Sequence, residues 1–205
     1  MSSIESDQET KSVPRGRPRE FELARSLDAA ITVFWSKGYE GASIDELTRA
    51  MGVPRATLYQ VFDDKEGLFL ATVGHYAQTR TAPVVAMLET QGDLNGDLAA
   101  FFKAVVDLAL SEPDARGCLI SCVLADAAGG NLSLRSELDR RFGAMEQQIA
   151  DRLAADLNQQ GDIQTRALVI ASMARGLMLR ARAGTERVQL EKAATEAVRL
   201  LTDIE

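Results

Sequence analysis

The side chains capable of chemistry are few and unevenly placed. Lys11, Arg15, Arg17 and Arg19 put four positive charges between positions 11 and 19, with no acid among them. Within that run, Arg15-Gly16-Arg17-Pro18 is the core of an AT-hook-like sequence. Arginine on a narrow, extended backbone suits an A·T-rich minor groove, where the negative potential is enhanced. Two thiols, Cys118 and Cys122, stand one helical turn apart. As thiolates they could sense oxidants or electrophiles, given exposure and a lowered pKa, for which Arg116 is a source. Their other reading is as small buried hydrophobes. His75 is the single histidine and lies far from both cysteines in sequence, so no metal site and no cofactor are expected. No GxSxG, GxxxxGK[ST], GxGxxG or HExxH pattern occurs, and no catalysis is expected.

Composition bounds the rest. Of 205 residues, 46% are hydrophobic and 26% charged, the balance of a globular protein with ample core. No run nears the roughly 18 apolar residues of a membrane span. The opening MSSIESDQETKS is polar and lacks a secretory h-region, so a cytoplasmic protein without a membrane partner is expected. Two cysteines are too few for a disulfide framework. Taken as a sum, the net charge of −7 disfavours nucleic acid, but where the charge sits matters more. Residues 71–205 carry 14 basic and 18 acidic side chains, so the positive charge concentrates at the N-terminal end.

These groups must be positioned by helices. Residues 1–13 lack periodicity, and Pro14 and Pro18 argue against regular helix, which makes 1–19 a flexible basic arm. Leu23, Leu27, Ala30, Ile31 and Phe34 then mark one face of an amphipathic helix that Gly38 ends. Ser43 and Glu46 have the spacing of a capping box and open a second helix, which stops at Met51-Gly52. A third, Arg55 to Phe62, follows after a tight turn containing glycine: the helix-turn-helix pattern. Beyond Lys65 helices are predicted near 65–90, 97–111, 117–128, 133–157, 165–182 and 186–204, with no strands. Ala167, Ile170, Ala174, Leu177 and Ala181, and then Leu190, Ala194, Ala197, Leu201 and Ile204, form narrow apolar seams. Such seams suit either the core of one chain or a two-fold bundle between copies.

The run Phe34-Trp35-Ser36-Lys37-Gly38-Tyr39-Glu40-Gly41-Ala42-Ser43-Ile44, then Ala50-Met51-Gly52-Val53, Thr57-Leu58-Tyr59 and Phe62-Asp63-Asp64-Lys65-Glu66-Gly67-Leu68-Phe69 closely resembles the DNA-binding domain of TetR-type repressors. The resemblance spans about residues 20–70. It implies an all-α chain: a three-helix head over 20–66 with the helix-turn-helix, and a larger ligand-binding and dimerising bundle over 67–205. It also implies a homodimer through the helices near 165–182 and 186–204, bound to a palindromic double-stranded operator. In that family the helix matching 55–62 enters the major groove, so Arg55, Ala56 and Thr57 would face bases or adjoining backbone. Tyr59 and Lys65 match phosphate-binding positions, and Ser43 lies where a helix N-terminus can hold another phosphate. Val61 departs from the pattern, since relatives often carry a polar residue there and valine cannot donate to phosphate.

The resemblance further implies a small-molecule effector, thiol-reactive ones included, that releases DNA by favouring another spacing of the two heads. Phe101, Phe102, Phe142, Met145, Met173 and Met178 are candidate linings, and each also reads as plain core. Arg175 and Arg180 would meet an anionic ligand, or acids such as Asp107 across an interface. Cys118 and Cys122 complete the candidates. The rival reading is a helical protein-binding adaptor without specific DNA binding, which leaves the combination of Arg55, Thr57, Tyr59 and Lys65 unexplained. Repression by occlusion is the expected mode.

Overall fold

The computed structural model describes residues 17–89, 92–112, 116–156 and 161–202, and among these every regular element is helical. Three helices form the head: α1 (Arg17–Gly41), α2 (Ile44–Met51) and α3 (Arg55–Phe62). Pro18 does not keep the arm out of helix as expected: α1 begins one residue before it, and in a first turn proline removes no intrahelical bond. Arg15 and the remainder of 1–16 lie outside the described residues.

Six further helices follow among the described residues. α4 (Lys65–Tyr76) runs without interruption into a π turn (Ala77–Thr81), a helical turn (Ala82–Val85) and a 3-10 turn (Ala86–Glu89). After α5 (Leu94–Ala109) comes α6, a second π turn (Ile120–Leu124) continued by Ala125–Ala127. The chain closes with α7 (Leu132–Ala154), α8 (Ile163–Arg182) and α9 (Arg187–Thr202). Side-chain caps start most of them: Asp64 accepts from Gly67 N, Asp93 from Gly96 N, Asn131 from Leu134 N and Asp162 from Thr165 N. Each satisfies an orphan donor of a first turn. No helix among the described residues is long and apolar enough to cross a membrane.

The apolar seams of the last two helices turn inward. Ala167, Ile170, Ala174, Leu177 and Ala181 are buried within the chain, as are Leu190, Ala194, Ala197 and Leu201. They pack α8 on α5 and α7, and α9 on α5 and α8. The seams are therefore this chain's own core and do not form a surface between copies. Their small residues let the backbones approach, while Phe101, Phe102, Leu98 and Val105 of α5 fill the space opposite. Another face remains outside. Leu168, Val169 and Leu179 are each 44–51% exposed, and with the small residues Ser172 and Gly176 they cover an arc of about 100° around α8. Val188 and Leu200 of α9 are also exposed.

One ion pair is deep. Asp97, in the first turn of α5, meets Arg152 Nε at 2.7 Å near the end of α7, with the carboxylate almost fully enclosed. An acid near a helix start and a cation near a helix end both oppose the local dipole charge, which favours this placement.

Candidate DNA-binding head and effector cavity

The head is built by local rules. Ser43 Oγ accepts from Glu46 N at 3.2 Å, and Glu46 Oε2 accepts from Ser43 N at 3.2 Å, so the capping box is closed. The Ser43 hydroxyl also donates to that carboxylate at 2.9 Å, so both its hydrogen-bonding roles are taken within the head. Ser43 comes first among the causes holding Glu46 below its usual carboxylate range, with Lys37 adding to it. Gly52 ends α2 at φ 68°, the left-handed conformation that glycine adopts without a Cβ penalty. Pro54 then stands at the N-cap of α3, where its fixed φ suits a helix start.

α3 presents one face to the core and the other outward. Leu58 is fully buried, whereas Arg55, Ala56, Thr57 and Tyr59 are all exposed. The expected reading residues are thus all open to solvent, with Arg55 and Tyr59 on one side of α3 and Thr57 farther round it. Arg55 Nη1 sits 3.2 Å from Asp45 Oδ1, and its Nη2 is 3.4 Å from the Tyr59 hydroxyl. Tyr59, and Asp45 after it, hold the guanidinium firmly in its charged form. Lys65 donates to the Glu40 carbonyl at 3.1 Å, with its ammonium 4.7 Å from the centre of the Tyr39 ring. Val61 is exposed on the same helix.

The joint from α3 to α4 is strained and closed. Asp63 has φ 65° and ψ −53°, and Asp64 N donates to Phe62 O at 2.8 Å across it. That is a γ-turn of the rare, strained hand. A methyl at Gly67 would stand 2.0 Å from the same Phe62 oxygen, so only hydrogen fits there. Aromatic rings secure α1 to α4 as well: Phe34 and Tyr39 lie 4.7 and 4.9 Å from Phe69, and Trp35 lies 5.6 Å from Tyr76, centre to centre. His75 completes the clamp through Asp28 at 2.9 Å.

A cavity of about 200 Å³ opens among the turns that follow α4, the π turn of α6, α7 and α8, with one π turn on each of two walls. An apolar cavity of about 150 Å³ can take benzene, so this one has room for a small organic molecule. Cys118, Phe142, Met145 and Arg175 of the expected linings border it, and Met178 borders a separate void of about 20 Å³ that shares Cys118, Met145 and Arg175 with it. Thr81, Val85, Ile120, Ser121 and Arg141 border it too, and composition gave no reason to single them out. Phe101 and Phe102 are fully buried in α5, with Phe102 bordering a different groove, toward α9. Met173 is half-buried and lines none of these spaces, nor does Cys122.

Both arginines on the wall already have acids. Arg175 stacks 3.8 Å above the Phe142 ring and bonds Glu146 at 2.7 Å, leaving its buried Nε unpartnered. Arg141 bonds Glu137 at 2.6 Å. Asp107, expected as a partner across an interface, bonds Lys103 and Arg187 of its own chain instead. Burial pushes the Cys122 thiol upward, and the cation that opposes this is Arg182, not the expected Arg116. Cys118 is itself buried.

A head with an outward recognition helix, rigidly joined to an all-helical body, defines a DNA-binding regulator of the TetR kind. The model of the family described as "Bacterial regulatory proteins, tetR family" matches residues 27–72. The chain is 31% identical over 165 residues to the uncharacterized HTH-type transcriptional regulator YezE of Bacillus subtilis (strain 168), covering 79% of this chain and 83% of that protein. It is 28% identical to the HTH-type transcriptional repressor ComR of Escherichia coli (strain K12), covering 93% of each. A solved structure of the TetR family regulator CifR, a cysteine mutant with 26-bp operator DNA, superposes with a TM-score of 0.78 at 28% identity, over 86% of this chain and 95% of that one. The chain belongs to the TetR family of transcriptional regulators; its relatives are regulators and not enzymes.

Some contacts of the head escaped the sequence. Asp45 and Arg55 are ten positions apart on different helices, and Glu66 and Asn131 are 65 apart. No periodicity rule connects either pair.

Proposed function

We propose that the protein is a ligand-released repressor that binds a palindromic operator as a homodimer. The single observation carrying this is that Arg55, Thr57 and Tyr59 are all exposed in the first five residues of α3, which follows α2 after a tight turn, with Lys65 opening α4. Arginine and threonine can read base edges, while tyrosine and lysine suit phosphate. Because the Ser43 hydroxyl is engaged by Glu46, phosphate near α2 would meet backbone amides of the first turn. On this reading residues 1–19 are the arm, with Arg15 and Arg17 for the minor groove, 20–66 the head, and 67–205 the regulatory and dimerising body.

The CifR structures hold operator DNA, and ComR is named a repressor, which supports both DNA binding and repression here. For the dimer, the support is the outward stripe of Leu168, Val169 and Leu179, since single-chain packing leaves these large apolar groups in water. The effector reading rests on the cavity. Its two guanidiniums are each matched by a carboxylate, so its wall is electrically balanced, and a second anion would have to displace Glu137 or Glu146. An uncharged molecule with an apolar body against Phe142 and Met145 fits better. Burial of Cys118, and the raised Cys122 thiol, favour an inducer read by shape over one captured by a thiolate.

Selection of bound sites from random duplex DNA tests the reading. Two inverted half-sites about one helical turn apart, roughly 34–36 Å, are expected. Recovery of unrelated sequences, from a protein that sediments as a monomer, would refute it. Transcription in vitro from a promoter carrying the selected site should fall as protein is added.

A further inference from the structure

We propose that Asp45 determines specificity in the DNA-reading head by holding the Arg55 guanidinium in its base-reading orientation, without touching DNA itself. The inference rests on the reading of α3 as the recognition helix. Asp45 lies on α2 beside Glu46, but the two acids have different surroundings. Glu46 closes the capping box on Ser43 and meets Lys37. Asp45 directs its carboxylate across the turn to Arg55 Nη1 at 3.2 Å.

Three physical arguments give that pair a role beyond folding. First, the Arg55 and Asp45 side chains are 59% and 74% exposed, and ion pairs in water contribute little to stability. Second, a carboxylate on a face that must approach a polyanion is repelled by it, so it lowers affinity unless it improves selection. Third, the donor count closes. Arginine has five N–H groups; Asp45 takes one and the Tyr59 hydroxyl another, leaving three for a guanine edge that needs two.

Held on one side by Asp45 and seated over Tyr59, 5.8 Å from the ring centre, Arg55 is biased away from a swing onto a phosphate. The swing onto phosphate is available on any DNA, whereas the base contact exists only on the operator. Asp45 thus penalises the wrong sequences more than the right one, and discrimination is that difference.

The experiment uses the full-length protein, its selected operator, a set of single-base-pair variants of that operator and a scrambled duplex, all at one salt concentration. Fluorescence anisotropy gives the affinities. Asp45→Ala should bind the scrambled duplex several-fold more tightly. It should also lose at least fivefold of the discrimination at one base pair, the same one that Arg55→Ala relaxes. The double variant should lose no more discrimination there than Arg55→Ala alone, and Asp45→Asn should fall between wild type and Asp45→Ala. Equal tightening on every duplex, with base preference intact, would make Asp45 a simple repeller and overturn the proposal. Relaxation at a base pair that Arg55→Ala leaves alone would overturn it too, by giving Asp45 a contact of its own. If Arg55→Ala changes no base preference, the docking pose fails and the pairing fails with it. Melting curves unchanged between wild type and Asp45→Ala confirm that the readout is recognition and not folding.

Discussion

Asn131 uses both ends of its amide: Oδ1 accepts the Leu134 N–H at 3.0 Å, and Nδ2 donates to Glu66 Oε2 at 2.7 Å. One side chain thereby starts α7, a wall of the cavity, and ties it to the first turn of α4, next to Lys65. Asn131→Ala should lower stability by about 1–2 kcal/mol in denaturant unfolding, the usual loss for an N-cap. Asn131→Ser still caps but is too short to reach Glu66, so stability near that of wild type, with altered operator affinity, is expected. Unchanged affinity in the serine variant would show that the tie conveys nothing to the head.

Gly67→Ala should fold less stably and lose operator binding, because the new methyl meets the Phe62 carbonyl and forces α3 away. Asp63→Gly should act in the opposite direction, relieving the positive φ for a gain of about 1 kcal/mol. Melting temperatures and operator titrations of both variants test this. An alanine variant that binds normally would mean the joint has slack.

Lys65→Ala should weaken binding to all duplexes alike and reduce the slope of log affinity against log salt by about one. Removal of residues 1–19, with Lys11, Arg15, Arg17 and Arg19, should also lower affinity and flatten that slope. A truncated protein with the full slope would exclude the arm from contact.

The two faces of α8 should respond differently to substitution. Leu168→Glu or Leu179→Glu, on the outer stripe, should yield folded monomers in sedimentation and much weaker operator binding. Ile170→Val, on the inner face, should leave the oligomer intact and remove about 0.5–1.5 kcal/mol of stability. Dimers that survive both glutamates place the interface elsewhere.

Asp107 gives a pH dependence. Lys103, hydrogen-bonded at 2.7 Å, and then Arg187 at 2.6 Å hold its carboxyl below the ordinary 3.8. A carboxyl whose pKa is depressed by folding adds stability above its unfolded pKa and loses it as pH falls through the folded one. The stability difference between wild type and Asp107→Asn should therefore be present at pH 6 and shrink toward pH 3. A difference that stays constant on acidification would remove Asp107 from the account.

The head was legible because its rules are local. Ser43 and Glu46 are three residues apart, Gly52 ends the helix they begin, and Leu58 and Phe62 share one face of the next. The body was legible as helices but not as surfaces. The spacing from Ala167 to Ala181 shows that one side of α8 packs, yet periodicity carries no label for the neighbour, and that neighbour is the chain's own α5 and α7. Exposure of Leu168 and Leu179 depends on what the rest of the fold fails to cover. Cys122 illustrates the same limit. Arg116 is close in sequence, but burial, then the backbone hydrogen bond with Cys118, and last Arg182, sixty residues away, set the balance at the sulfur.

The γ-turn at Asp63 and the bare Cα of Gly67 leave the hinge between head and body without backlash. α4 thus meets α3 across a closed turn with no room for a methyl between them. On the proposed reading, a shift of the stretch beside the cavity passes along α4 to α3, so a small effector needs only a small stroke.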